Sequence, residues 1–319
     1  MHPSILQFDR ASDFSEGLAV VQTADRYFYI DPTGKTVIAV DPSFDGVSPF
    51  SEGRAIARVN DYYGYLDRTG TVVIDPQYSG VNRFSGGLAV VRNGNRYGYI
   101  NLDGEWVIEP QFTLASDFAE GLAAVKIDQQ YGYVNTLGKQ AIAPQFTDAW
   151  SFSESLAVIR AEGKWGYVDP TGKVAIAPQF DGAFNFSETM ARVRQESLWG
   201  YLGRLGKWAI APKFDFASDF SEDLAVVLVG TMWGYANSEG ELAIAPKFEF
   251  ASDFAEGLAA VQVGGKTGFI NKNGEVVIEP QFQKAGSFSE GWAWVQLDDQ
   301  FRYIAANGEF LSTTHLNSP

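Results

Sequence analysis

One motif dominates this chain. A segment of the form Phe-Asp-x-Ala-Ser-Asp-Phe-Ser-Glu-Gly-Leu-Ala recurs along its whole length, with starts at Phe8, Phe44, Tyr78, Phe112, Phe146, Phe180, Phe214, Phe248 and Phe282. The first interval is 36 residues (8 to 44) and each later one is 34, the extra pair lying near Val40 and Asp41. A fixed period of this length is the signature of solenoids and propellers. No linker interrupts the units, so residues 1–319 read as a single repeat domain rather than the two domains that length alone suggests. Three columns never vary: Phe14 and its eight successors to Phe288, Ala19 to Ala293, and Gly34 to Gly308. A fourth is aromatic throughout, running from Tyr29 to Tyr303 with Phe269 in the eighth unit. Such internal agreement reports repeated geometry.

The fifth unit shows the local logic. Leu156–Arg160 and Trp165–Val168 are β-type runs around a turn at Ala161–Lys164. Asp169-Pro170-Thr171-Gly172 fits a type I turn closed by a left-handed glycine, which explains a column without any Cβ. Lys173–Ile176 reads as a third strand, and Pro178-Gln179-Phe180-Asp181 as a short fourth edge strand, where proline is tolerated. No segment carries a helical apolar period, so the chain is all-β. Consecutive apolar positions, as in Leu88-Ala89-Val90-Val91, bury both strand faces, so each small sheet is sandwiched between neighbours. The alanine column then marks the closest approach of adjacent backbones, and the phenylalanine column fills the gap between sheets.

Nine antiparallel meanders can close into a nine-bladed propeller or stack as an open solenoid. The chain opens on Gln7-Phe8-Asp9-Arg10-Ala11, while nothing similar follows Gly308-Glu309-Phe310-Leu311. The first segment can therefore complete the last unit. Neither end carries a polar cap for an exposed edge. These features favour the closed ring, although nine exceeds the usual four to eight blades. Trp292 and Trp294 in the last unit would cover an exposed end or form the seam.

These residues resemble the bacterial WG repeat, whose name comes from the Trp-Gly pair found here as Trp165-Gly166, Trp199-Gly200 and Trp233-Gly234. The pair becomes Tyr63-Gly64, Tyr97-Gly98 and Tyr131-Gly132 in earlier units and Thr267-Gly268 in the eighth. The first and last units depart from it, with Tyr27-Phe28 and Phe301-Arg302. The resemblance covers nearly the whole chain and implies a role in binding.

Composition excludes several chemistries. There is no cysteine, and the only two histidines are His2 and His315, so Cys nucleophiles, His-based triads and His–Cys metal cages are not expected. A net charge of -15 argues against nucleic-acid or anionic-membrane binding. No apolar run approaches the roughly 20 residues of a membrane helix, and no leader is visible at Met1–Arg10, so a cytoplasmic monomer without cofactor is expected.

Three columns are candidate binding elements. Glu16, Glu52, Glu120, Glu154, Glu188, Glu222, Glu256 and Glu290 recur at one turn, with Gly86 in the third unit. In a ring they form an acidic circle for cations or a basic partner; alternatively they are solvated turn residues supporting local geometry. Arg58, Arg92, Lys126, Arg160 and Arg194 end one strand in units two to six only. That asymmetric row could hold an acidic partner or a carboxylated glycan, or could be solvated hairpin charge. The column Tyr27, Tyr63, Tyr97, Tyr131, Trp165, Trp199, Trp233 and Phe301 offers stacking surfaces or simple packing between sheets. The leading expectation is a non-catalytic scaffold for protein or peptide partners. A carbohydrate or cell-envelope module is the alternative, and an enzyme with channel carboxylates the third reading.

Overall fold

The computed structural model describes residues 4–312, so His2 and His315 lie outside the described residues. Nine antiparallel sheets form a closed ring, a nine-bladed β-propeller. No helix among the described residues is long and apolar enough to cross a membrane. Blade 5 is representative, with strands Asp148–Ser153, Leu156–Ala161, Lys164–Val168 and Val174–Phe180 hydrogen-bonded in that order. The first strand lies innermost: those of blades 5 and 6 pack against one another, whereas the fourth strand is exposed at alternate positions.

The fourth strand is one seven-residue element, not the two separate pieces the sequence suggests, and the missing strand is the Asp-x-Ala segment that opens each unit. Pro178 is tolerated because it sits in a bulge. Trp165 pairs with Phe180 and Tyr167 with Ile176, so four residues on one strand span two on the other. The bulge passes directly over Gly166, where an added Cβ would sit 2.5 Å from the Ile176 carbonyl oxygen and 2.6 Å from the Pro178 nitrogen. This contact accounts for the glycine of the Trp-Gly pair. It also accounts for the exceptions. In blade 1, Phe28 pairs with Ala39 and Tyr29 with Ile38 in regular register, so no bulge covers position 28. In blade 9 the fourth strand comes from both chain ends and no proline bulge crosses Arg302.

The second glycine column behaves as the turn chemistry requires. Gly172 has φ +84° and donates its N–H to Asp169 O at 2.9 Å. Its ideal Cβ would meet Ile142 of the preceding blade at 3.1 Å, so the turn also packs tightly between blades.

Blades are joined by a repeated set of contacts. Buried Tyr167 packs its ring 5.1 Å from Phe186 of the next blade and donates its hydroxyl to Phe184 O at 2.8 Å. Ser153 Oγ donates to Phe186 O at 2.7 Å. Burial pushes the phenols of the Tyr column up, consistent with their role as neutral donors. The closure uses the same parts. Tyr303 packs 5.0 Å from Phe14 and donates to Ser12 O, and Ser289 donates to Phe14 O. Phe8 exchanges two backbone hydrogen bonds with Phe301, at 2.9 and 2.8 Å, and Leu6 N donates to Leu311 O. Phe8 thus takes the place that Phe180 holds in blade 5. Trp292 and Trp294 pack against the seam core of Phe8, Phe14 and Tyr303.

Candidate binding surface

Because strands alternate direction, the hairpins between second and third strands share one face with the links between blades. The turns carrying the glutamates lie on the opposite face.

On that glutamate face the carboxylates are already engaged. Each glutamate has φ of 50–54° and reaches across to the next blade. Glu188 accepts from the Glu222 and Asp223 backbone N–H groups at 2.6 and 2.9 Å, Glu222 from Gly257, Glu256 from Gly291, and Glu290 from Gly17 across the closure. Glu16, Glu52, Glu120 and Glu154 make the corresponding bonds to Gly53, Gly86 with Gly87, Ser155 and Thr189. The acidic circle is therefore a chain of latches between blades, whose support is non-local. Gly86 interrupts it. Gly86 already has φ +63°, and its Cβ would meet only Phe118 Cβ at 3.9 Å. Gly86→Glu should supply the missing bond to blade 4 and raise stability by about 0.5 kcal/mol, an exposed charge-assisted bond set against left-handed backbone cost. Chemical denaturation would check the sign.

On the other face, each member of the basic row stands directly across a hairpin from an aromatic residue: Arg58 from Tyr63, Arg92 from Tyr97, Lys126 from Tyr131, Arg160 from Trp165 and Arg194 from Trp199. Four of these cations lie 5.3–5.9 Å from the facing ring centroid. Arg58 is held by Asp45 at 2.5 Å. The basic row and the aromatic column thus form one band of cation–π pairs over blades 3–6, which the Arg58–Tyr63 pair continues into blade 2 without that contact.

The structure adds residues that column-by-column reading passes over. Trp150, Phe184, Phe216 and Phe250 lie on first strands; Trp150 and Phe184 stand where most units carry serine or glycine, and Phe216 and Phe250 stand in a column of mixed residues that no other unit fills with an aromatic. They intercalate with the Trp column into one ladder: Trp165–Trp150 at 5.8 Å, Trp150–Phe184 at 5.2 Å, Phe184–Trp199 at 5.7 Å, Trp199–Phe216 at 5.9 Å, Phe216–Trp233 at 5.5 Å and Trp233–Phe250 at 6.3 Å. All are partly exposed, and Phe250 is 50% exposed. The available signal was the appearance of aromatics, in units five to eight only, in two columns that are otherwise non-aromatic. Arg192 threads the ladder, its guanidinium 3.6 Å from the Phe184 centroid, donating to Asp219 at 2.8 Å and to Ala217 O at 2.8 Å. Burial raises the Asp219 carboxyl, while Arg192 pulls it back toward ionisation.

A WG containing repeat model matches residues 6–27, 27–63, 63–97, 97–131, 131–165, 165–199, 199–230, 233–266 and 268–301. The chain belongs to the WG-repeat family. Each full WG repeat runs from the third strand of one blade to that of the next, with the Trp or Tyr of the pairs in blades 2–7 in the partly exposed band and the Gly beneath the fourth-strand bulge. A search of curated proteins found no match. Among solved structures, the chain is similar to one titled crystal structure of the eukaryotic initiation factor, with TM-score 0.63, 11% identity, and coverage of 96% of this chain and 95% of that one. It also matches Kluyveromyces lactis Hsv2p at TM-score 0.44 and 9% identity, over 74% of this chain and 95% of that one. The extracellular domain of a B. thetaiotaomicron one component system matches at TM-score 0.37 and 10% identity, over 96% of this WG-repeat chain and 59% of that domain. At such identities the first of these speaks for the propeller fold alone.

Proposed function

We propose that this propeller is a non-catalytic binding scaffold that holds a protein or peptide partner on the face bearing the aromatic ladder. The observation that carries the reading is asymmetry. Packing between blades is a ninefold requirement, and the Tyr and Phe columns meet it in nearly every blade. The ladder occupies only blades 5–8 and stays partly exposed. Trp, Tyr and Arg dominate binding hot spots, since they combine large apolar area with polar or cationic tips. The basic row beside the ladder suits peptides bearing acidic residues. The test is selection from a displayed peptide library, alongside a glycan array, with the wild type and a Trp199→Ala/Phe216→Ala variant. Acidic, aromatic-containing peptides should be enriched, and the variant should bind them about 30-fold more weakly, as for loss of a hot spot worth about 2 kcal/mol. Glycan capture without peptide capture would favour the carbohydrate reading. Unchanged affinity in the variant would remove the ladder from the site.

A further inference from the structure

The ladder has a counterpart of opposite character on the same face. In blade 2 the positions of the first-strand aromatics hold Gly46 and Ser48, and a hollow of about 280 Å³ opens between Tyr27 of blade 1 and Tyr63 of blade 2. Arg58 and Ile56 complete its walls. Gly46 stands two residues past its unit start at Phe44, as Phe216 stands two past Phe214. Tyr27 and Tyr63 occupy the column positions of Trp199 and Trp233. In blades 6 and 7 that gap is filled from within: the Phe216 ring lies 5.9 Å from Trp199 and 5.5 Å from Trp233. The fold therefore contains its own example of what fits between two column aromatics.

We propose that the hollow between Tyr27 and Tyr63 receives the aromatic side chain of a peptide partner, in the place Phe216 fills at blade 7. The proposal rests on the reading of this face as a binding face.

The chemistry of the hollow selects an apolar planar group. Ser48 is satisfied internally, its hydroxyl donating to Pro49 O and accepting from Ile56 N, and its carbonyl accepting from the Tyr29 hydroxyl. An occupant therefore needs no polar group to compensate the floor. Arg58 is fixed at the rim by Asp45, so a cation is pre-placed for a ring face. The volume exceeds the roughly 150 Å³ that suffices for a benzene ring in an apolar cavity. The hollow is open to solvent, so a ring anchored to a chain that covers the opening is desolvated far better than a free ring would be. A second hollow of about 220 Å³, lined by Arg10, Ser12 and Pro49, adjoins on the other side of Tyr27 and gives the peptide backbone room to continue.

Gly46→Phe supplies the test, because it writes the internal occupant into the chain. Gly46 lacks a left-handed φ, and its ideal Cβ meets nothing closer than Arg58 Nε at 3.7 Å, so the variant should fold. The probes are the blocked peptide acetyl-Gly-Gly-Phe-Gly-Gly-amide, its Phe-to-Ala counterpart, and free phenol, followed by amide NMR of the full chain. The Phe peptide should shift the Gly46, Val47 and Tyr63 resonances and bind about tenfold or more tightly than the Ala peptide, the gain from burying a ring. Gly46→Phe should abolish those shifts and raise the melting temperature by about 2–4 °C. Absent shifts with the Phe peptide, or equal binding by Gly46→Phe, would overturn the proposal. Shifts with phenol but none with either peptide would overturn it in favour of a small aromatic ligand. Failure here leaves the blade 5–8 ladder untouched, and failure of the Trp199→Ala/Phe216→Ala result leaves this hollow standing.

Discussion

Replacing Gly166 with valine should destabilise the propeller by about 3 kcal/mol or more, well beyond an average substitution. The added Cβ would lie 2.5 Å from the Ile176 oxygen, 2.6 Å from the Pro178 nitrogen and 2.8 Å from the Ala177 carbonyl carbon. All three are backbone atoms, so no side-chain rotation relieves the clash. The fourth strand must lift, breaking the Trp165–Phe180 pairing and exposing Phe180, which is 4% exposed. Gly172→Val should cost less, since its clash is with a side chain of Ile142, though the left-handed φ adds backbone strain. Gly163→Val should cost least, because nothing lies within 4 Å of its Cβ and only the φ of +80° is strained. Urea denaturation of the three variants measures this order. If Gly166→Val matches Gly163→Val, the bulge is not what demands the glycine.

That ordering also separates what the sequence makes legible from what it hides. The Gly172 column was readable because one turn of four residues sets its requirement, and the turn is local. Period, β-class and the completion of the last unit by Phe8 were readable because each is repeated or conspicuously missing once. The reason for Gly166 was not readable, because the atoms that exclude a Cβ lie about ten residues downstream and approach only after the strands pair. The Pro178 segment looked like a separate strand for the same cause: proline breaks a ladder in one dimension but fits a bulge in three. The glutamate column hid its role more deeply. Its acceptors serve N–H groups 34 to 37 residues onward, and only closure brings Glu290 to Gly17. The ladder was half visible. The Trp column could be seen, whereas Trp150, Phe184, Phe216 and Phe250 fall in two different columns and align only when neighbouring first strands converge.

Removing residues 1–9 should lower the stability of the whole ring by about 3–5 kcal/mol, the range for deleting a buried phenylalanine, and shift one cooperative melting transition by about 10 °C. Phe8 is 8% exposed and packs 6.1 Å from Tyr303, and its backbone supplies both hydrogen bonds that give blade 9 the outer part of its fourth strand. Leu6 is lost with it, opening the space above Gly34, whose ideal Cβ lies 2.3 Å from the Leu6 side chain. The seam would retain Tyr303 to Ser12, Ser289 to Phe14 and Glu290 to Gly17, so it should weaken without simply falling apart. By contrast, the junction of blades 8 and 9 has Phe269 and Ala255 together, so it lacks both hydroxyl donors where every other junction has at least one, and keeps only the Glu256–Gly291 latch of the three. Strain from a weakened seam therefore passes to a junction with little reserve, and the ring should lose its blades together. In an open array the same deletion would fray one unit, since each unit touches only its neighbours. Small-angle scattering provides the second measure. The intact ring should give a radius of gyration of about 20 Å from the scaling of compact chains, against about 28 Å for nine sheets stacked at 10 Å spacing. Two separated melting transitions in the truncated chain, or an elongated particle in the intact one, would contradict closure through Phe8.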